Sequence, residues 1–116
     1  MLPAKHRLKK NYQFGYIYKK GKAVPAKNLT LVFTTVRGNA VKVGFSVGNK
    51  VGKAVDRNLA RRRLRECARA LLPRIKPGHH CVVSARQGIT EAAFAEISRD
   101  MEYVFRKAGL LANDKL

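Results

Sequence analysis

Acidic residues are scarce in this chain: seven Asp and Glu stand against 25 Lys and Arg, a formal net charge of +18 over 116 residues. Such an excess repels itself in the free protein, so it points to a large polyanionic partner, either nucleic acid or an anionic membrane. Long apolar runs are also missing. No stretch of about 18 apolar residues occurs, which leaves nothing to span a bilayer. Met1 to Lys10 is charged and holds no apolar stretch of the kind a secretory signal needs. The expected address is the cytoplasm. Cysteine is limited to Cys67 and Cys81, which in a reducing compartment seldom pair and here are expected to be small buried hydrophobes. Metal-ligand spacing is lacking as well. His79-His80-Cys81 would alternate faces on a strand, and no Cys-x-x-Cys or His-x-x-x-His pair accompanies it. Gly48-x-x-x-Gly52-Lys53-Ala54 has neither the spacing nor the Ser/Thr of a phosphate-binding loop.

What is present is concentrated between Lys50 and Arg69. Eight cations (Lys50, Lys53, Arg57, Arg61, Arg62, Arg63, Arg65 and Arg69) face two acids, Asp56 and Glu66. An apolar stripe runs through the same segment: Leu64, Cys67, Ala68, Leu71 and Leu72 follow the i, i+3, i+4, i+7, i+8 spacing of one helical face. Asn58, Arg62, Arg65 and Arg69 form a neighbouring stripe, with Arg61 on its edge. A solvated face would mix in acids, and this one does not. A core-packed helix that holds guanidinium forks in fixed positions suits a polyanion whose phosphates are also fixed, which is structured nucleic acid. The same packing argues against a membrane-surface peptide.

Along the chain, residues 1–10 are basic and unpatterned and are expected to be a flexible arm. Asn11 can cap a short helix ending at Gly21, with Phe14, Ile17 and Tyr18 on one face. The β-branched and aromatic run from Ala23 to Val36 predicts a strand, with Pro25 splitting off a short lead-in strand. Arg37-Gly38-Asn39 reads as a turn, and Val41 to Val47 as the return arm of a hairpin. Gly48 and Gly52 bracket the loop into the arginine helix, where Asp56 is the expected N-cap, and Pro73 and Pro77-Gly78 close that helix. Cys81 to Ala85 is a third main strand. Thr90 is expected to cap a last helix whose core face is Phe94, Ile97, Met101, Val104 and Phe105, ending near Gly109. The order α-β-β-β-α-β-α indicates one α+β domain over residues 1–116, a two-layer sandwich with a mostly antiparallel four-stranded sheet. The strand–helix–strand crossover is right-handed by the general rule.

Catalytic groups are poorly placed in the sequence. Phosphodiester cleavage by protein groups needs paired histidines or metal-holding carboxylates. Asp56 and Glu66 stand at opposite ends of several helical turns, and most other acids lie on the last helix. A ribonuclease centre built from His6, His79 and His80 is imaginable, but no spacing demands it. The polypeptide reads as non-catalytic by itself. Tyr12, Phe14, Tyr16 and Tyr18 alternate through the first helix, more rings than one core face can bury, and Phe33 lies on the adjoining strand. Rings beside cations make stacking platforms for unpaired bases, although Phe14, Ile17 and Tyr18 also have ordinary core spacing.

The run Phe45-Ser46-Val47-Gly48-Asn49-Lys50-Val51-Gly52-Lys53-Ala54-Val55-Asp56-Arg57-Asn58, followed by Arg61-Arg62 and Leu64-Arg65-Glu66, resembles the central motif of the bacterial ribonuclease P protein subunit. Arg7-Leu8-Lys9-Lys10-Asn11-x-x-Phe14, with Tyr18 and Gly21, is similar to the start of the same family. The resemblance covers nearly the whole chain. It implies the accessory subunit of an endoribonuclease that removes the 5′ leader of precursor tRNA, with a large RNA subunit as catalyst and magnesium bound mainly by that RNA. It implies the same α-β-β-β-α-β-α fold, with a left-handed crossover in place of the usual hand. It further implies that Lys50, Lys53, Arg57, Asn58, Arg61, Arg62 and Arg65 face the catalytic RNA, a set to which the arginine stripe adds Arg69. Phe14, Tyr18 and Phe33 fall where the family's cleft meets the single-stranded leader. Two departures stand out: Leu59 occupies the position of a usual arginine, and Tyr18 that of a usual phenylalanine, which keeps a stacking face. No protein oligomer is expected. The competing class is a small ribosomal or other structural RNA-binding protein without a processing role. Charge and size fit both, but such a protein has no need of rings for unpaired bases.

Overall fold

The computed structural model describes residues 4–8 and 11–112, with side chains from 5 and from 13 onward in those stretches. The order is α1 (Asn11–Lys20), β1 (Lys22–Pro25), β2 (Leu29–Thr35), β3 (Val41–Ser46), α2 (Ala54–Leu71), β4 (His79–Ala85) and α3 (Phe94–Lys107). This is the α+β order that the patterning predicts. The strands form one sheet in the order β1-β2-β4-β3. β2 pairs antiparallel with β1 and β4, whereas β3 runs parallel to β4.

The expected hairpin of β2 and β3 is therefore split, because β4 inserts between its arms. The reason is burial. Cys81, Val82 and Val83 are apolar on both faces and each is 0% exposed, so β4 gains most from the central position. The loop joining β2 to β3 arches over the start of β4: Val36 N donates to Gly78 O, and Gly78 N and His79 N both donate to Ala40 O.

Strand alternation sorts the side chains onto two faces. Leu29, Leu31, Val41, Val43, Cys81 and Val83 join Leu64, Cys67, Ala68 and Leu71 of α2 and Ile97, Met101, Val104 and Phe105 of α3 in the main core. The opposite face carries a smaller cluster, Leu8, Ile17, Val32 and Val82, with Phe14 packed against it. Helices thus cover both faces, and the two-layer description holds for the α2/α3 half while α1 adds cover on the other side.

Several local expectations change. Lys53, not Asp56, is the N-cap of α2, and the Asp56 carboxylate sits at N3 and accepts from Lys53 N at 3.2 Å. Ala93, not Thr90, caps α3, with Glu96 Oε1 accepting from Ala93 N at 2.9 Å. In both helices a carboxylate one turn in accepts from the N-cap backbone N–H, which is one half of a capping box, while Lys53 and Ala93 offer no side-chain acceptor for the N2 or N3 donors. Phe94 is exposed rather than core, and Leu110 and Leu111 are buried in its place. Residues 4–8 are not a free arm. Leu8 is buried, Arg7 bridges Val43, and His6 Nδ1 lies 2.7 Å from Val41 O along the outer edge of β3. Residues 1–3 and 9–10, and the cap expected of the Asn11 side chain, lie outside the described part.

Candidate nucleic-acid interface

The arginine helix begins at a strained corner. Gly52 has φ +152°, and a Cβ there would stand 2.7 Å from Asp56 Oδ2, so glycine lets the loop close onto the first turn of α2. Arg57 reinforces the corner, donating from Nη1 to Gly52 O at 2.9 Å. Lys50 and Lys53 are exposed, and with Arg57 they crowd the positive end of the helix macrodipole. Cations there cost about 0.3–1 kcal/mol each, and in this first turn only Asp56 is acidic. The corner serves an anion better than it serves stability.

Farther along α2, Arg61 Nη1 donates to Asn58 Oδ1 at 3.0 Å, and Arg65 Nε reaches Arg61 O at 3.4 Å. These bonds hold the two half-buried guanidinium groups in place. Arg69 pairs with Glu66 at 3.1 Å in an exposed contact, which is worth little and is easily exchanged for phosphate. Arg62 is exposed and makes no hydrogen bond or ion pair with a described residue. Asp56 and Glu96 serve backbone amides, and Asp100 is held by Asn28 N and Asn28 Nδ2 at 2.9 and 3.0 Å. The few acids are therefore largely committed elsewhere, and the arginine face keeps its charge.

The rings divide between the two faces. Phe14 approaches Gly44 so closely that a Cβ there would meet its ring at 2.5 Å; glycine on β3 is what lets the ring approach. Tyr18 is exposed, and its hydroxyl lies 2.8 Å from Ser84 Oγ, which fixes the ring beside α1. Phe33 is not brought to them. It packs against the main core, with its ring edge-on to that of His79 at 6.3 Å, on the face opposite Phe14 and Tyr18. The cause is parity: Leu29, Leu31 and Phe33 share the core face, so the β2 residue beneath α1 is Val32.

A cleft of about 170 Å³ joins the arginine helix to Phe14 at the β3 edge, lined by Arg7, Leu8, Phe14, Gly44, Arg61 and Arg65 among others. Arg7 was not a site residue by sequence reasoning. The only hint was its place in the Arg7-Leu8-Lys9-Lys10-Asn11 stretch, because its position depends on the docking of residues 4–8 against β3.

The titratable groups behave as structural ones. Burial pushes the Cys67 thiol up to about 11 and the Cys81 thiol up to about 12, so both are protonated and unreactive at neutral pH. Burial, and then Lys42, lower the pKa of His80. His79 and His80 alternate faces of β4, His79 Nδ1 lies 3.1 Å from Lys76 O, and His6 is tied to the β3 edge. His6 and His79 are thus engaged separately, away from any shared centre. Among the described residues no helix is long and apolar enough to cross a membrane.

Comparison with known proteins agrees with this arrangement. The family model Ribonuclease P matches residues 2–109. The ribonuclease P protein component of Symbiobacterium thermophilum is 40% identical over 110 residues, covering 94% of this chain and 96% of that protein. That of Geobacillus thermodenitrificans is 36% identical over 107 residues, 90% of this chain and 88% of the relative. The RNase P protein of Staphylococcus aureus superposes with a TM-score of 0.84 at 30% identity, over 91% of this chain and 97% of that one. The Thermotoga maritima protein gives 0.77 at 27%, over 86% and 96%. With sequence and fold matched over nearly its full length, the chain belongs to the bacterial ribonuclease P protein family.

Proposed function

We propose that this chain is the accessory protein of a ribonucleoprotein that removes the 5′ leader from precursor tRNA, gripping the catalytic RNA with α2 and the unpaired leader with the α1 side of the sheet. The observation that carries this reading is the cleft at the β3 edge, where Arg61 and Arg65 of α2 and Phe14 of α1 line one cavity. A strand leaving the arginine face there meets the Phe14 ring within the same cleft. Lys50, Lys53, Arg57, Asn58, Arg61, Arg62, Arg65 and Arg69 supply donors for phosphates of the RNA subunit, with Arg57 also bracing the loop. Phe14 and Tyr18 supply faces for leader bases. Phe33 supports the sheet from the other side.

The scissile chemistry belongs to the RNA subunit in this reading, and magnesium with it. Magnesium supplies charge neutralisation and an activated water at a phosphodiester when bound. Among the described residues no three His, Cys, Asp or Glu side chains are grouped to hold an ion, so no step is assigned to a protein-held metal. The protein's share is positional: it neutralises phosphates, which releases counterions, and favours precursor over mature tRNA through contacts that only a leader can make.

The test is reconstitution with a transcript of the ribonuclease P RNA, beside a ribosomal RNA fragment of matched length. The proposal expects tight binding to the former, weaker binding to the latter, and a protein-dependent gain in affinity for precursor tRNA. Equal binding to both RNAs with no gain for precursor would return the chain to the class of general RNA binders.

A further inference from the structure

Helical geometry divides the rings of α1. Tyr18 follows Phe14 by four residues and shares its flank, but Tyr16 is two residues from each, about 200° around the axis. Tyr16 is 57% exposed and lines two hollows. One, of about 210 Å³ at the β1 edge of the sheet, is lined by Lys20, Lys22, Phe33, Thr34 and Thr35. The other, of about 300 Å³, is lined by Ile17, Val36 and His80. Thr34 adds an independent sign. It is only 9% exposed, and its hydroxyl is buried with no hydrogen-bond partner. A buried, unpartnered hydroxyl is costly to keep, and the residue that carries it lines this hollow. Lys20 and Lys22 make no ion pair with a described residue, and no acid lines either hollow.

We infer that this second flank of α1 binds one unpaired nucleotide, its base on the Tyr16 ring, a polar edge on Thr34, and its phosphate between Lys20 and Lys22. The inference rests on the reading that the chain binds unpaired RNA, but it places a site where neither the arginine helix nor the Phe14–Tyr18 flank reaches. An exposed ring with cations beside it and an apolar floor suits a base, because stacking needs a flat face and tolerates any base identity.

The test uses the full-length protein and a fluorescein-labelled oligouridylate, read by anisotropy, with Tyr16→Ala, Tyr16→Phe, Thr34→Val and Phe14→Ala. Tyr16→Ala is expected to weaken binding about tenfold, and Tyr16→Phe to retain it. Thr34→Val should weaken binding while raising the melting temperature, a combination that a purely structural threonine does not produce. Binding unchanged by Tyr16→Ala but weakened by Phe14→Ala would overturn the second site and leave the proposed function intact. Binding unchanged by either would overturn the second site and the ring-lined leader path together. In the reconstituted complex, a Tyr16→Ala defect that appears only as the leader is lengthened identifies the occupant as leader. A defect in RNA-subunit affinity without any leader identifies it as the catalytic RNA.

Discussion

Replacing Phe33 with Ala separates a ring that supports the fold from one that touches RNA. Phe33 is half-buried against the α2/α3 core and meets the His79 ring edge-on at 6.3 Å and 66°. Removing a fully buried phenylalanine costs about 3–5 kcal/mol, and partial burial halves that to roughly 2 kcal/mol. Loss of the aromatic contact adds about 0.5–1 kcal/mol. The expected cost of about 2–3 kcal/mol corresponds to a fall in melting temperature on the order of 10 °C for a domain of this size. Thermal unfolding by circular dichroism measures that fall. Affinities for precursor and mature tRNA, taken well below the transition, should change little and equally. A selective loss for precursor at unchanged melting temperature would refute the placement of Phe33 on the core side and restore it to the leader path.

Other perturbations give distinct signatures. Arg62→Ala should weaken RNA-subunit binding and reduce the slope of log K against log salt by roughly 0.7–0.9 without affecting stability, because the side chain is exposed and supports nothing else. Titrating binding from low to high salt measures this. Cys67→Ser should cost only about 1 kcal/mol by chemical denaturation, because the Ser98 side chain is already positioned to bond the atom at that position. Both thiols should resist Ellman's reagent in the folded protein and react on unfolding. Their folded pKa values, about 11 and 12, lie above the ordinary 9.0. Stability from this source is complete below pH 9 and is lost as pH rises toward those values, because the unfolded thiols release protons first. His80 acts at the other end: with its pKa lowered from 6.5, the unfolded state binds the proton more readily, so stability declines as pH falls below 6.5.

The sequence was most legible where periodicity and charge coincide. Leu64, Cys67, Ala68 and Leu71 are buried on α2 as their spacing requires, and Asn58, Arg62 and Arg69 are exposed beside them. Strand pairing was less legible. The run Leu29 to Val36, the turn at Arg37-Gly38-Asn39 and the run from Val41 are each locally consistent with a hairpin. What splits them is a strand 30-odd residues onward, and a tertiary preference of that kind leaves no local trace. Phe33 was assigned by its neighbourhood when alternation from Leu29 would have placed it on the core face. The caps of α2 and α3 were misread for a single reason: Lys53 and Ala93 stand at the N-cap without a capping side chain, and Asp56 and Glu96 bond the N-cap N–H from one turn inside. The role of Arg7 depends on residues 4–8 docking along β3, a contact between distant parts of the chain.

The central claim is that α1 offers the leader a platform continuous with the arginine face. It is tested most directly by the ratio of precursor to mature tRNA affinity in the reconstituted complex carrying Phe14→Ala. The ring is half-buried on Gly44 and lines the cleft with Arg61 and Arg65, so its loss should weaken precursor binding about tenfold and leave mature tRNA unchanged. An equal effect on both substrates, or none on either, with the fold intact by circular dichroism, would contradict the account.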